Sequence, residues 1–424
     1  MTSRPDTGST ERRIDAQWLR SGPPARVLDI LKRDGEEARI VGGAVRNTLL
    51  GLPPGDIIDI ATTALPAEVI KRVEAAGLKA VPTGLDHGTV TVVVDGKPVE
   101  VTTLREDIET FGRKANVRFG RDWRADAERR DFTMNALFAG ADGIVYDYVG
   151  GLEDLAARRV RFIGNPATRI AEDYLRILRF FRFHAAYGSG TPDADALHAC
   201  IAGRAGLEHL SRERVRMELL KLIVAEGAVP ALIAMADAGL LVMVLGGVPQ
   251  VPHLARMAEI EAALGLAADP VRRLGALAVQ ITEDADRLFE RLRLTNIEHH
   301  RLISMGEGWW RPSSAMEEQG GRALLYRLGP EWFGDRVLLA WARSADAADD
   351  VAWRRLASLP QRWTVPAFPL KAADLMKRGV AKGAALGTAL RVAEEAWIAH
   401  GFPADASTIA GIAEEAARSV AAAR

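Results

Sequence analysis

Three stretches of this chain place charged and small residues where phosphate chemistry could occur. Gly42-Gly43 follows the short strand candidate Ala38–Val41 and precedes a helix-forming segment that carries Arg46. Glycines at a strand-to-helix turn let backbone N–H groups approach a phosphate, and a guanidinium can add a charge-assisted contact. Taken alone, such a turn is more often structural. Asp56 and Asp59 lie just downstream in GDIIDIATTALP, and Glu100 lies inside the apolar stretch PVEVTTL. Carboxylates beside a phosphate turn suggest metal-assisted phosphoryl transfer, in which one ion activates an attacking hydroxyl and another steadies the triphosphate. The alternatives are a solvated loop with a helix-capping Asp and, for Glu100, an edge or surface position.

The elements that must carry these groups follow from pattern. TVTVVV (Thr89–Val94) is β-branched and ends at Asp95-Gly96, which predicts a hairpin with the strand-like 98–104 returning. RRDFTMNALF (129–138) and the strand-like 144–146 complete an α/β head. Beyond residue 165 strand signals nearly vanish, and Ala/Leu/Arg-rich helical periodicity runs to the end. Asn165-Pro166 reads as an N-cap with proline in the first turn. One continuous helix is expected from there through EDYLRILRFFRFHAA, with Tyr174, Ile177, Leu178 and Phe181 as its apolar stripe. Asp173 and Arg176 are i, i+3 neighbours on it, and Arg179 and Arg182 extend the basic flank. By themselves they are a surface ion pair on an amphipathic helix.

VGGAVRNTLLG, the Asp pair before IAT, HGTVTV, EVTTLR, RRDFTMNAL and EDYLRILRFFRF occur in order. Together they resemble the class II CCA-adding tRNA nucleotidyltransferase and bacterial poly(A) polymerase family. The resemblance implies an α/β nucleotidyltransferase (polymerase-β-like) head followed by an all-helical neck, body and tail. It implies Mg2+-dependent addition of CCA to the 3′ end of tRNA from CTP and ATP. Asp56, Asp59 and Glu100 would be catalytic, the two aspartates holding the metal. Gly42, Gly43, Arg46 and Arg130 would steady the triphosphate, and Asp131 the ribose hydroxyl. Asp173 and Arg176 would read the base, with Arg179 and Arg182 toward the triphosphate or RNA backbone. A carboxylate accepts and a guanidinium donates, so this pair matches the amino group and ring nitrogen shared by cytosine and adenine.

One departure stands out. The family carries two carboxylates at i and i+2, whereas here they are Asp56 and Asp59, at i and i+3. A β-bulge around Ile57-Ile58 is the expected way to bring both to one side of a strand. HGTVTV and the absence of a Gly-Arg-Arg-Phe stretch favour the tRNA enzyme over poly(A) polymerase. REDIETFGRKANVRFGRDWRADAE lacks strong periodicity and resembles the flexible loop needed to switch from C to A, which argues against a CC-adding enzyme. The altered Asp spacing leaves a further alternative, a catalytically inactive RNA-binding relative.

Composition sets the outer limits. The chain has 424 residues, 48% hydrophobic and 26% charged, with a net charge of −1, so RNA binding must come from local basic surface. Lys371, Lys377, Arg378 and Lys382 form one such tail patch. Cys200, the single cysteine, excludes an internal disulfide. Trp309-Trp310 is expected in the core. No apolar run suits a membrane span, and a cytoplasmic location is the expectation. The expected division is a disordered 1–22, a head at 23–150, a neck at 151–225 with Ser211 as an N-cap, and a tRNA-binding body and tail at 226–424.

Overall fold

Alternation of apolar and polar side chains along the strands decides the head. The computed structural model describes residues 12–111 and 114–422. Its strands are β1 (Ala38–Val41), β2 (Ile58–Thr62), β3 (Lys79–Gly84), β4 (Thr89–Val94) and β5 (Lys97–Thr103). They are followed by β6 (Arg105–Phe111), β7 (Lys114–Phe119), β8 (Leu137–Ala139) and β9 (Val145–Asp147). Seven of these form one mixed sheet in the order β3-β4-β5-β2-β1-β8-β9. Val90, Val92, Val94, Val99, Val101, Ile58 and Ile60 are buried. Helices Pro23–Leu31 and Pro66–Ala75 pack on the sheet through Val27, Leu28, Leu31, Val69 and Val73. The β4–β5 hairpin turns at Asp95-Gly96, both at positive φ (50° and 77°), as the sequence predicts.

β2 is a central strand, paired antiparallel with β1 and parallel with β5. Neither ladder shifts register, so the bulge expected at Ile57-Ile58 is not formed. A bulge here would break hydrogen bonds to both neighbours at once. The slack falls before the strand, in a bend where Gly55 takes φ +97° and Ile57 is 49% exposed. The polar stretch expected as a loop contains the two-stranded β6–β7 hairpin and helix Trp123–Glu128, capped by Asp122. Residues 1–11 of the segment expected to be disordered lie outside the described residues. The rest of it is ordered: Ile14 N donates to Gly143 O at 2.9 Å, and Leu19 of helix Gln17–Arg20 is buried.

The neck departs from expectation at one point. Asn165 caps Pro166–Glu172 by accepting from Thr168 N (3.1 Å), but that helix stops at Asp173. A second helix, Leu175–Tyr187, begins after Tyr174. Asp173 is extended (φ −156°), and its carboxylate accepts from Leu175 N at 3.1 Å, which starts the new helix instead of continuing the old one. Ser211 stands at the N-cap position of Arg212–Ile223, which packs on Leu175–Tyr187. Helix Ala228–Asp237, assigned by sequence to the body, packs on the same neck helix and belongs to the first compact unit, Met1–Gly246.

The second unit, Gly247–Arg424, is helical among its described residues. Its buried polar centre joins Glu261 and Asp335 to Arg272, Arg273 and Arg301. Trp397, Leu375 and Ile412 anchor a separate apolar cluster toward the C-terminus. Trp309 is half-buried and donates to Gln280 O, whereas Trp310, expected in the core, is 58% exposed.

Close packing fixes the neck break. A Cβ on Gly206 would lie 2.0 Å from the Tyr174 ring. Gly206→Ala is expected to destabilise the first unit by about 1–3 kcal/mol, the usual cost of overpacking. Thermal melting checks this, with Gly84→Ala as a control at a glycine whose added Cβ would make only an ordinary contact, 3.6 Å from Thr89.

Candidate active site

Parallel pairing of β2 with β5 sets Asp59 directly beside Glu100. Both point away from the face that carries Ile58 and Val99. Surrounding protein raises the Asp59 carboxyl to about 6, the negative charge of Glu100 adds to the rise, and Arg130 opposes it. Asp59 is nonetheless open to solvent. The pair is therefore an accessible site of concentrated negative charge. Asp56 is not brought to it: it lines a cavity of about 630 Å3 together with Trp18, Ile58, Lys97 and Val99, on the other side of the strand. Among the described residues no three His, Cys, Asp or Glu side chains gather as a cation-binding group.

Gly42 takes φ +74° and ψ −120°, a backbone that excludes a side chain, and Gly43 opens the short helix Gly43–Leu49. A Cβ on Gly42 would lie 3.4 Å from Asn135 O and 4.0 Å from Arg130 Nη1. Arg130 is held by Asp126, to which its Nε and Nη2 donate at 3.2 and 3.0 Å, and its Nη1 reaches the glycine turn. Arg46 behaves differently from the expected phosphate ligand. It is buried, donates to Asn135 Oδ1 (2.5 Å), Asn47 Oδ1 (2.8 Å) and the Tyr187 hydroxyl (2.8 Å), and stacks on the Tyr187 ring. Burial lowers its pKa from the usual arginine value. Its donors are occupied under the turn, so the structure makes it a strut between turn and neck.

The neck residues form a chain of ion pairs. Asp131 Oδ2 accepts from Arg179 Nε (2.9 Å) and Nη2 (2.5 Å), and its Oδ1 accepts from Phe132 N and Asn135 Nδ2. Burial alone would raise this carboxyl, yet Arg179 and these donors hold it down at about 2. Arg179 Nη1 lies 3.6 Å from Glu218, which also accepts from Arg182 Nε at 2.5 Å. Asp173 pairs with Arg214 (2.6 and 3.2 Å), and Arg176 with Glu172 and the Arg169 carbonyl. Asp173 and Arg176 thus flank the helix break, each with its own partner.

Known proteins share this layout. The family described as "Poly A polymerase head domain" matches residues 38–161, and that described as "Probable RNA and SrmB- binding site of polymerase A" matches 191–254. The mitochondrial CCA tRNA nucleotidyltransferase 1 of Mus musculus is 32% identical over 380 residues, covering 89% of this chain and 86% of that protein. The chain belongs to the CCA tRNA nucleotidyltransferase family. A CCA-adding enzyme of Limosilactobacillus fermentum is 33% identical over 370 residues, covering 87% and 90%. The crystal structure of Bacillus stearothermophilus CCA-adding enzyme in complex with CTP superposes with a TM-score of 0.71 at 27% identity, over 95% of this chain and 100% of that one.

Phosphoryl transfer in a nucleotidyltransferase of this family is divalent-metal chemistry. The Asp59–Glu100 pair fits such an ion: its donors are hard oxygens, and their mutual repulsion would be relieved by a bound cation. Sequence reading missed Arg214, Glu218, Glu172, Asn135 and Asp126, which hold the expected residues in place. In the sequence Arg214 and Glu218 stand only as an i, i+4 pair in RERVRMEL. Their partners, Asp173 at the helix break and Arg179 and Arg182 on Leu175–Tyr187, are beyond the reach of local pattern.

The raised Asp59 pKa has a consequence for stability. Ionising it costs the folded chain more than the unfolded one, so stability is lost as pH rises from 3.8 toward about 6 and the loss is complete above. Without divalent ions, Asp59→Asn is expected to raise Tm at pH 7.5, the gain shrinking as pH falls from 6 to 4. Thermal melts across that range check it, and a uniform gain at every pH would contradict it.

Proposed function

We propose that this chain adds C, C and A, from CTP and ATP and without a nucleic-acid template, to the 3′ end of tRNA. The observation that carries the reading is the extent of the match. CCA-adding relatives align through 87–89% of the chain at 32–33% identity, through the head and the helical remainder alike.

In this proposal Asp59 and Glu100 hold Mg2+, which supplies the positive charge that acidifies an RNA 3′-hydroxyl and offsets the triphosphate. The chain's own residues do the rest. The Gly42-Gly43 turn offers backbone N–H groups to the triphosphate, and Arg130, braced by Asp126, adds charge at the same turn. Arg46 sets the turn's position from beneath. Asp131, fixed by Arg179 and Asn135, faces the ribose. Asp173 accepts from the exocyclic amino group of cytosine or adenine, and Arg176 donates to the ring nitrogen. Guanine and uracil would leave a buried group unpaired, at a cost of about 1–3 kcal/mol. Arg182 and the exposed Lys371, Lys377, Arg378 and Lys382 supply charge for RNA phosphates. A cytoplasmic location belongs to the same proposal.

The separation of Asp56 from Asp59 favours a second reading, a tRNA-binding relative that does not transfer nucleotides. Incorporation of radiolabelled CTP and ATP separates the two. The expected result is three nucleotides on tRNA lacking its CCA end, none on an oligo(A) primer, and a loss of at least about 100-fold in Asp59→Asn. Long A tails on the primer would make the chain a poly(A) polymerase, and CC alone a CC-adding enzyme. Binding of tRNA without incorporation would establish the second reading.

A further inference from the structure

The carboxylate of Asp173 does not stand alone. Arg214 donates Nη1 to Oδ1 at 3.2 Å and Nη2 to Oδ2 at 2.6 Å, a two-point grip from the neighbouring helix Arg212–Ile223. The backbone N–H of Leu175 takes a further position on Oδ1 at 3.1 Å. An ionised carboxylate offers about four lone-pair positions. Three are filled, and the one left is on Oδ2. Arg176 is restricted in a matching way: its Nη1 is spent on the Arg169 carbonyl and Glu172, so Nε and Nη2 retain their donors.

We propose that Arg214 is a positioning residue for nucleotide choice: it holds Asp173 so that a single acceptor faces the incoming base. The proposal rests on the reading of Asp173 as a base-contacting group. A carboxylate that could rotate would present either oxygen, and through water could tolerate a carbonyl where cytosine and adenine have an amino group. Gripped at both oxygens, it cannot turn away from uracil's carbonyl, and the two acceptors repel. Arg rather than Lys suits the task because its planar fork matches both carboxylate oxygens.

The geometry also makes the test practical. Asp173 and Arg214 both line a cavity of about 410 Å3 with Glu172, Tyr174, His209 and Ser211. Truncating Arg214 therefore hydrates Asp173 and does not strand a buried charge. The probes are CTP and UTP, and the readout is the ratio of their equilibrium Kd values, which does not depend on turnover. Wild type, Arg214→Ala, Arg214→Lys and Asp173→Asn are compared, with folding verified by circular dichroism and tRNA affinity measured in parallel. Arg214→Ala is expected to reduce the preference for CTP by about tenfold, the worth of one hydrogen bond to a charged group, with tRNA affinity unchanged. Arg214→Lys is expected to restore part of it. If Asp173→Asn removes the preference and Arg214→Ala leaves it intact, the role of Arg214 is overturned while base reading stands. If Asp173→Asn also leaves it intact, base reading by Asp173 falls, and the proposal with it.

Discussion

The site depends on one register: β2 runs parallel to β5 with Asp59 opposite Glu100. Two like charges side by side are costly, as the elevated Asp59 carboxyl records. The sheet sustains them because the other face of the same strands is buried against two helices, so a one-residue slip would turn every valine outward. Repulsion that weakens the fold is what makes the pair attractive to a cation. The glycine turn ending β1 and the Arg130 guanidinium then fall within reach of that pair, since β1 is the neighbour of β2 on its other side.

The neck answers a different need. In the proposed function, contacting a nucleotide without a template requires polar groups that keep their orientation before the nucleotide arrives. Each one here is held by an opposite charge from elsewhere in the chain: Asp131 by Arg179, Arg179 and Arg182 by Glu218, Asp173 by Arg214, Arg176 by Glu172. The helix break at Asp173 belongs to this arrangement, because it frees the carboxylate from a helical face and turns it toward Arg214.

Much of this was legible in the sequence where structure is local. The Asp95-Gly96 hairpin, the Asn165 cap and the Gly42-Gly43 turn form as their residue types predict. What was not legible depends on distant partners. Arg46 looks like a phosphate ligand until Tyr187, 141 residues away, is seen to occupy it. Arg214 meets Asp173 across 41 residues. The inserted residue between Asp56 and Asp59 was visible, but the place that absorbs it was not. That is decided by ladders on both sides of β2, which keep the strand regular and push the slack into the bend at Gly55. The polar β6–β7 hairpin gave no alternation to read.

The central proposal is that a divalent ion would be held by the Asp59–Glu100 pair and that the extra isoleucine keeps Asp56 out of it. The most direct test is a Mg2+ titration of CTP incorporation in the native chain and in a variant lacking Ile57, which restores the i, i+2 spacing of the two aspartates. The account predicts that the deletion lowers the Mg2+ concentration for half-maximal incorporation by about tenfold or more, as a third carboxylate joins the pair. An unchanged or higher half-maximal Mg2+ concentration in a folded deletion variant would contradict the account, leaving Asp56 serving the site from its bend or having no part in it.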